Sequence, residues 1–381
     1  MSDAATESTA RVPRVLIAAD KFKGSLTAVQ VAEHVTAGLR TVVPDLSVEA
    51  LPVADGGDGT VDAAVAAGFE RRTVTVTGPL GEPVEAAFAL REDTAVVEMA
   101  EASGLRHLPP GVFAPLTATT YGTGELLRAA LEAGARTIVL GVGGSATNDG
   151  GAGMLSALGA RLLDADGVPV APGGGALAGL AAADLSGLDA RLAGARIVLA
   201  SDVDNPLVGP KGAAAVYGPQ KGATAQDVAA LDAALTRYAQ VLGDVDAAQA
   251  PGAGAAGGIG YGALVGLGAA FRPGIEVLLE VLGFAAALEH ADLVITGEGS
   301  LDAQTLHGKA PVGVASAARA RGVPVLAVCG RLALSAAELA AAGIGGAYAL
   351  ADLEADPARS MANAGPLLRR AAAALAHDHL S

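Results

Sequence analysis

Five short stretches of the chain set carboxylates among glycines and small hydroxyl residues. They are Asp20-Lys21-Phe22-Lys23-Gly24-Ser25, Asp55-Gly56-Gly57-Asp58-Gly59-Thr60, Ser145-Ala146-Thr147-Asn148-Asp149-Gly150-Gly151, Ser201-Asp202-Val203-Asp204 and Gly297-Glu298-Gly299-Ser300-Leu301-Asp302. Phosphoryl transfer asks for this mixture. Backbone N–H groups and a cation surround the phosphates, one or two carboxylates with several waters hold Mg2+, and a further carboxylate takes the proton of the acceptor hydroxyl. The third stretch belongs to a longer loop, Gly141 to Gly153, between the apolar run Thr137-Ile138-Val139-Leu140 and Met154 to Leu158. Strand, glycine-rich loop and helix start make an anion site, because first-turn N–H groups are unpaired and the helix dipole favours negative charge. The loop is read as holding a phosphate or the group that receives one.

Each stretch also has a purely structural reading. Asp20 and Ser25 serve as a turn residue and a helix cap, Asp55 and Asp58 as Asx turns, and Asp149 as a cap. Asp202 opens a turn, and Glu298 and Asp302 pair with Lys309. One stretch alone decides little; five in one chain favour chemistry.

Other chemistries fit less well. The six histidines show no H-E-x-x-H spacing for zinc, there is no G-x-S-x-G elbow, and Gly308-Lys309 lacks the rest of a Walker A loop. Gly141 to Ala146 matches G-x-G-x-x-A, the dinucleotide fingerprint. The context fails, since a hairpin at Gly167 follows where a βαβ unit should, and Asn148-Asp149 stand in the loop.

The elements that must position these residues follow from the apolar periodicity. Val15 to Ala19 and Ser47 to Val53 read as strands, and Thr27 to Val42 as a helix with Val31, Val35, Leu39 and Val42 on one face. Two strand–loop–helix units in succession open a parallel α/β domain, with the polar loops at strand C-termini, where such sheets bind ligands. Arg71 to Thr77, Val84 to Leu90 and Thr94 to Met99 change style to an antiparallel meander, the mark of a second domain. From Leu293 the first style returns. The expected organisation is therefore a discontinuous domain of residues 14–77 plus 290–381, an inserted mixed α/β domain of residues 78–289, and a disordered tail at residues 1–13.

Composition narrows the partners. The net charge of −15 argues against nucleic acid or an anionic membrane surface. The uncharged stretch from Ala247 to Phe271 holds eight glycines and is rejected as a membrane span. With no signal peptide visible, a cytoplasmic location is expected. A single cysteine, Cys329, excludes an internal disulfide and reads as a small buried strand residue. The chain has 20 Arg and only five Lys, namely Lys21, Lys23, Lys211, Lys221 and Lys309, each near a glycine in an expected loop. A chain that otherwise prefers Arg thus keeps Lys where a compact ammonium suits.

Taken in order, Asp20 to Leu26, Pro52 to Thr60, Gly143 to Gly151, Pro251 to Gly258, and Thr296 to Asp302 with Gly308-Lys309 closely resemble the motifs of glycerate kinases of the type I family. The resemblance runs from about residue 14 to 375, with no departure at the motif positions. It implies a flavodoxin-like parallel α/β domain formed by both termini, with an inserted mixed α/β domain of the restriction-endonuclease-like kind. It implies ATP- and Mg2+-dependent phosphorylation of D-glycerate in organic acid and glyoxylate metabolism, with 2-phosphoglycerate favoured over 3-phosphoglycerate. The alternatives are a kinase for another small hydroxy acid and a non-catalytic regulator that binds a nucleotide or metabolite.

On that reading Asp202, Lys21 and Asp55 are the expected catalytic residues, with Asp202 first choice for general base. Lys23, Ser25, Gly143, Gly144, Ser145, Thr147, Asn148, Glu298, Ser300 and Lys309 are expected to bind substrate or phosphate, and Asp58 and Asp149 the metal. Which loop takes ATP and which takes glycerate stays open, as does assembly into a homodimer.

Overall fold

The computed structural model describes residues 13–381. The tail expected to be disordered lies, apart from Pro13, outside the described residues. The chain forms two compact units: one from residues up to Val53 together with Gly283–Ser381, the other from Ala54–Leu282. Both are mixed α/β structures with parallel strands.

The first unit has a five-stranded parallel sheet. Its spatial order is Ser47–Ala50, Arg14–Ala19, Leu293–Leu301, Val325–Leu332, Ala347–Ala349. Numbered within the unit this is 2-1-3-4-5, the flavodoxin-like order. Val15, Ile17, Ile295, Leu326 and Val328 are buried against Val31, Val35 and Leu39 of helix Ala28–Val42 and Leu368 and Leu375 of helix Ala364–His379. The two helices approach closely because Gly38 has no side chain: a Cβ there would stand 2.3 Å from the Arg369 carbonyl oxygen. Helix Ala28–Val42 starts where Thr27 and Gln30 close a capping box, each side chain accepting the other's backbone N–H. Cys329 is buried in its strand, and burial pushes its thiol up to about 12.

The second unit is built on a six-stranded mixed sheet ordered Ala270–Arg272, Arg196–Ala200, Thr137–Gly141, Thr94–Glu98, Pro83–Arg91, Glu70–Thr77. The last two pairings are antiparallel and the others parallel. The meander read from the sequence is therefore one half of this sheet. Its strand Glu70–Thr77 pairs along its whole length with Pro83–Arg91, so it belongs to the second unit. The junctions expected at 77/78 and 289/290 fall instead at Val53/Ala54 and Leu282/Gly283. A second core, with Leu231, Leu235, Tyr238 and Tyr261, lies under the long helix Ala225–Leu242. Among the described residues no helix is long and apolar enough to cross a membrane.

Candidate active site

In the second unit, two glycine loops lie backbone against backbone. Gly143 N–H donates to the Gly56 carbonyl at 3.1 Å. A Cβ on Gly141 would meet that carbonyl oxygen at 2.6 Å, and one on Gly143 would meet the Cα of Gly57 at 2.4 Å. Side chains at these positions would force the loops apart. Gly56 itself has φ of +91°, a left-handed conformation that glycine adopts without steric penalty.

Asp55 and Asp202 come together beside this contact. Asp55 Oδ1 accepts the Gly57 N–H at 3.1 Å, the Asx turn foreseen from the sequence. Asp202, just past strand Arg196–Ala200, accepts the Gly274 N–H through Oδ1 at 2.8 Å. Gly274 begins helix Gly274–Leu282, and a Cβ on it would lie 2.1 Å from the Asp55 carbonyl oxygen. The Asp202 side chain is reachable from solvent, yet the protein around it removes enough water to raise its carboxyl to about 6. The charges of Asp55 and Glu276 add to the rise, and the Gly274 N–H opposes it. A carboxylate with that proton affinity accepts a hydroxyl proton better than an ordinary aspartate.

Glu98 is a residue the sequence reading missed. It ends strand Thr94–Glu98 and is buried, with Oε2 accepting the N–H groups of Gly59 at 3.0 Å and Val61 at 3.3 Å. It thereby caps helix Thr60–Ala66, whose N-cap, Gly59, has no side chain to do so. Burial raises its carboxyl to about 7, opposed by Arg106, whose guanidinium lies 3.8 Å from Oε1. Arg106 also pairs with Glu101 and feels Asp58. A glutamate closing an otherwise apolar strand was the available signal.

The loop from Gly141 to Gly153 turns its polar side chains inward. Ser145, Thr147, Asn148 and Asp149 are all buried. Asp149 Oδ2 accepts from Thr120 N–H, Thr120 hydroxyl and Gly153 N–H, and Oδ1 from Gly151 N–H. Asp149, expected to hold the metal, thus has both oxygens engaged by these donors and is sealed from solvent. Burial raises its carboxyl against those four donors. Asn148, expected to bind substrate or phosphate, is buried, and its Nδ2 donates to the Pro115 carbonyl at 3.1 Å. Ser145 and Thr147 face a cation the sequence reading had noted without assigning a role: Lys221, with Nζ donating to Ser145 Oγ at 2.8 Å and the Thr147 carbonyl at 2.6 Å. Along the loop Gly144 is exposed, Gly143 and Gly153 are half-buried and the rest is buried.

The first unit gathers the remaining residues at the C-terminal edge of its own sheet. Asp20 N–H donates to the Gly297 carbonyl at 2.8 Å, and Lys21 N–H to Asp20 Oδ1 at 2.6 Å. The Phe22–Leu26 turn is closed by mutual backbone bonds and by Ser25 Oγ donating to the Phe22 carbonyl at 3.0 Å, which leaves Lys23 exposed. Glu298 and Ser300 stand on the end of strand Leu293–Leu301, where a loop was expected. Glu298 Oε1 accepts the Thr305 hydroxyl at 2.6 Å, and Ser300 Oγ donates to Asp302 Oδ2 at 3.1 Å. Lys309 Nζ reaches Gln304 Oε1 at 3.3 Å. Although burial opposes it, the Gln304 N–H, the Ser300 hydroxyl and the charges of Lys309 and Arg331 hold the Asp302 carboxyl below its usual range. Arg331, opposite Ser300 on the neighbouring strand, is a further cation not foreseen.

Parallel sheets carrying glycine-and-carboxylate loops and cations at their C-terminal ends define an α/β enzyme that handles small anions. Sequence and structure comparisons make this specific. The sequence model described as the Glycerate kinase family matches residues 15–380. A glycerate kinase of Bacillus subtilis (strain 168) is 52% identical over 326 residues, covering 84% of this chain and 85% of that protein. A glycerate 2-kinase of Escherichia coli (strain K12) is 48% identical with the same coverage, 84% and 85%. A crystal structure named as glycerate kinase 2 from Salmonella typhimurium LT2 superposes with a TM-score of 0.84 at 46% identity, covering 96% of this chain and 98% of that one. The chain belongs to the glycerate kinase family and is a kinase.

Proposed function

We propose that the protein transfers the γ-phosphoryl group of ATP to D-glycerate, giving 2-phosphoglycerate, as a cytoplasmic step of organic acid breakdown. The relatives named above support the substrate, and one of them, a glycerate 2-kinase, supports the 2-hydroxyl. The observation that carries the chemistry is the Asp202–Asp55 pair, in which one carboxylate is raised to about 6 while its Oδ1 is fixed by the Gly274 N–H. Asp202 takes the proton of the attacking hydroxyl. Asp55 orients that hydroxyl, and its negative charge keeps the proton affinity of Asp202 high.

The exposed backbone at Gly144 faces an anionic group, with Ser145 and Thr147 fixing its shape from below. In the first unit Lys21, Lys23 and Lys309 neutralise phosphate or carboxylate oxygens. Ser25, Glu298 and Ser300 order the loops that carry these cations. Mg2+ fits the donor set: Asp55 and Asp58 offer hard oxygen ligands, and Mg2+ needs only one or two carboxylates with waters. Among the described residues no group of three or more His, Cys, Asp and Glu side chains forms a metal cage, which accords with a cation held jointly with phosphates. When bound there, Mg2+ would offset phosphate charge.

31P NMR of the reaction of ATP with D-glycerate tests this reading. A new phosphomonoester resonance at the 2-phosphoglycerate position is expected. A 3-phosphoglycerate resonance would reassign the hydroxyl. No product with D-glycerate, but turnover with another hydroxy acid, would reassign the substrate.

A further inference from the structure

Lys221 is the one lysine that this arginine-rich chain places in its interior, with 2% of its surface exposed. It ends the short turn Pro219–Lys221, and its Nζ donates to two groups of one loop, Ser145 Oγ and the Thr147 carbonyl. Both acceptors are uncharged. Asp149, the carboxylate that acts on it, already has four donors of its own. A buried ammonium on neutral acceptors is a poor way to gain stability, since an apolar chain of the same length would fill the space without desolvating a charge.

The loop it holds is also gripped from another side. Ser145 Oγ donates to the Ala256 carbonyl at 3.2 Å. Ala256, Gly257 and Gly258 run through three left-handed conformations in succession, and Gly257 lies so close that a Cβ would be 1.9 Å from the Thr147 oxygen. Because the peptide is planar and trans, a Thr147 carbonyl aimed at Lys221 turns the Asn148 N–H the opposite way.

We propose that Lys221 is a positioning residue of the anion site, its ammonium pinning the Ser145–Thr147 turn from the interior so that the exposed backbone at Gly144 keeps one shape and sits over a positive charge. The proposal rests on the phosphotransfer reading. In a low-dielectric interior the charge acts over a longer range than it would in water. Lys221 faces Asp149 and, beyond it, the buried phenol of Tyr238, which is raised well above its ordinary value by burial and by the charge of Asp149.

The test compares the wild-type chain with Lys221→Met, Lys221→Arg and the exposed control Lys211→Met. Sulfate, a dianion throughout the range from pH 6 to 9, is the binding probe, read by shifts of the loop amide resonances. ATP and D-glycerate turnover is measured in parallel. Lys221→Met is expected to fold, to bind sulfate roughly tenfold more weakly, and to raise KM for an anionic substrate by a similar factor. Lys221→Arg should recover part of the affinity, and Lys211→Met should stay within about twofold of wild type. Sulfate affinity of Lys221→Met within about twofold of wild type overturns the proposal.

Should Lys221→Met not fold, the pH profiles decide. Burial lowers the Lys221 ammonium to about 7, so wild-type affinity for sulfate should fall as pH rises from 6 to 9, and Lys221→Arg should flatten the fall. A flat wild-type profile, or an unchanged slope in Lys221→Arg, overturns the proposal. Sulfate binding does not depend on turnover. A wild-type chain that fails to phosphorylate any hydroxy acid therefore defeats the functional reading alone.

Discussion

The proton on Asp202 is held more tightly than on a solvated aspartate, and two opposite consequences follow from that fact. As a base, Asp202 is competent only when ionised. Activity should therefore rise through a pH near 6 and be lost below it. Asp202→Asn removes the base and should lower kcat by about 10²–10⁴-fold, with the acid limb gone from the residual rate. For stability the sign is reversed. The folded state binds the proton more strongly than the unfolded chain, so this group's contribution is full below pH 4 and is lost as pH rises through about 6. Asparagine retains an oxygen for the Gly274 N–H, so Asp202→Asn should melt no lower than wild type at pH 7. Thermal melts beside steady-state rates check both halves; an active variant that melts early would place Asp202 in the scaffold.

At this scale the sequence showed which residue types meet and not which way they face. That Asp55 and Asp202 stand in loops after strands was legible in the sequence. The inward aim of Asn148 and Asp149 was not legible, because a glycine loop can aim a side chain outward or inward with the same spelling. The direction is set by Thr120 and Pro115, distant in the chain.

Among the elements, the turn Ala256-Gly257-Gly258 holds the loop in place through backbone contact. Gly257 has φ of +73° and no room for a methyl group against the Thr147 oxygen. Gly257→Ala combines left-handed strain with overpacking and should cost about 3 kcal/mol. Ala256→Gly, at φ of +52°, relieves strain and adds unfolded-state freedom, and should change stability by less than about 1 kcal/mol. Denaturant unfolding of the two variants makes the comparison; equal effects would show that the contact with Thr147 is unimportant.

Elements with a local signature were read almost to the residue. Helix Ala28–Val42, expected over Thr27 to Val42, follows Thr27 in a capping box with Gln30. The failures were tertiary. Glu70–Thr77 was legible as a meander strand, but the expected boundary at 77/78 cut it off from Pro83–Arg91, the strand it pairs with in the second sheet. The extension of Leu293–Leu301 through Glu298 and Ser300 depends on the neighbouring strand Val325–Leu332, and glycines at 297 and 299 hid it.

Across the whole molecule, the two-unit organisation was legible in the return of strand–loop–helix spelling after residue 290. The boundary was not, because no composition change marks Val53/Ala54. The same division imposes a timetable. Strand Arg14–Ala19 occupies an interior position in its sheet, with Ser47–Ala50 on one side and Leu293–Leu301 on the other. The first neighbour leaves the ribosome at once and the second only after the entire second unit has been made. At typical synthesis rates of roughly 5–20 residues per second, that is a delay on the order of tens of seconds. Limited proteolysis of stalled nascent chains ending just before Leu293 should find the Ala54–Leu282 segment protected and the Val15–Ala19 segment cut. The apolar strand Arg14–Ala19 is thus translated long before its second neighbour and sheltered late, an interval in which a chaperone would serve it.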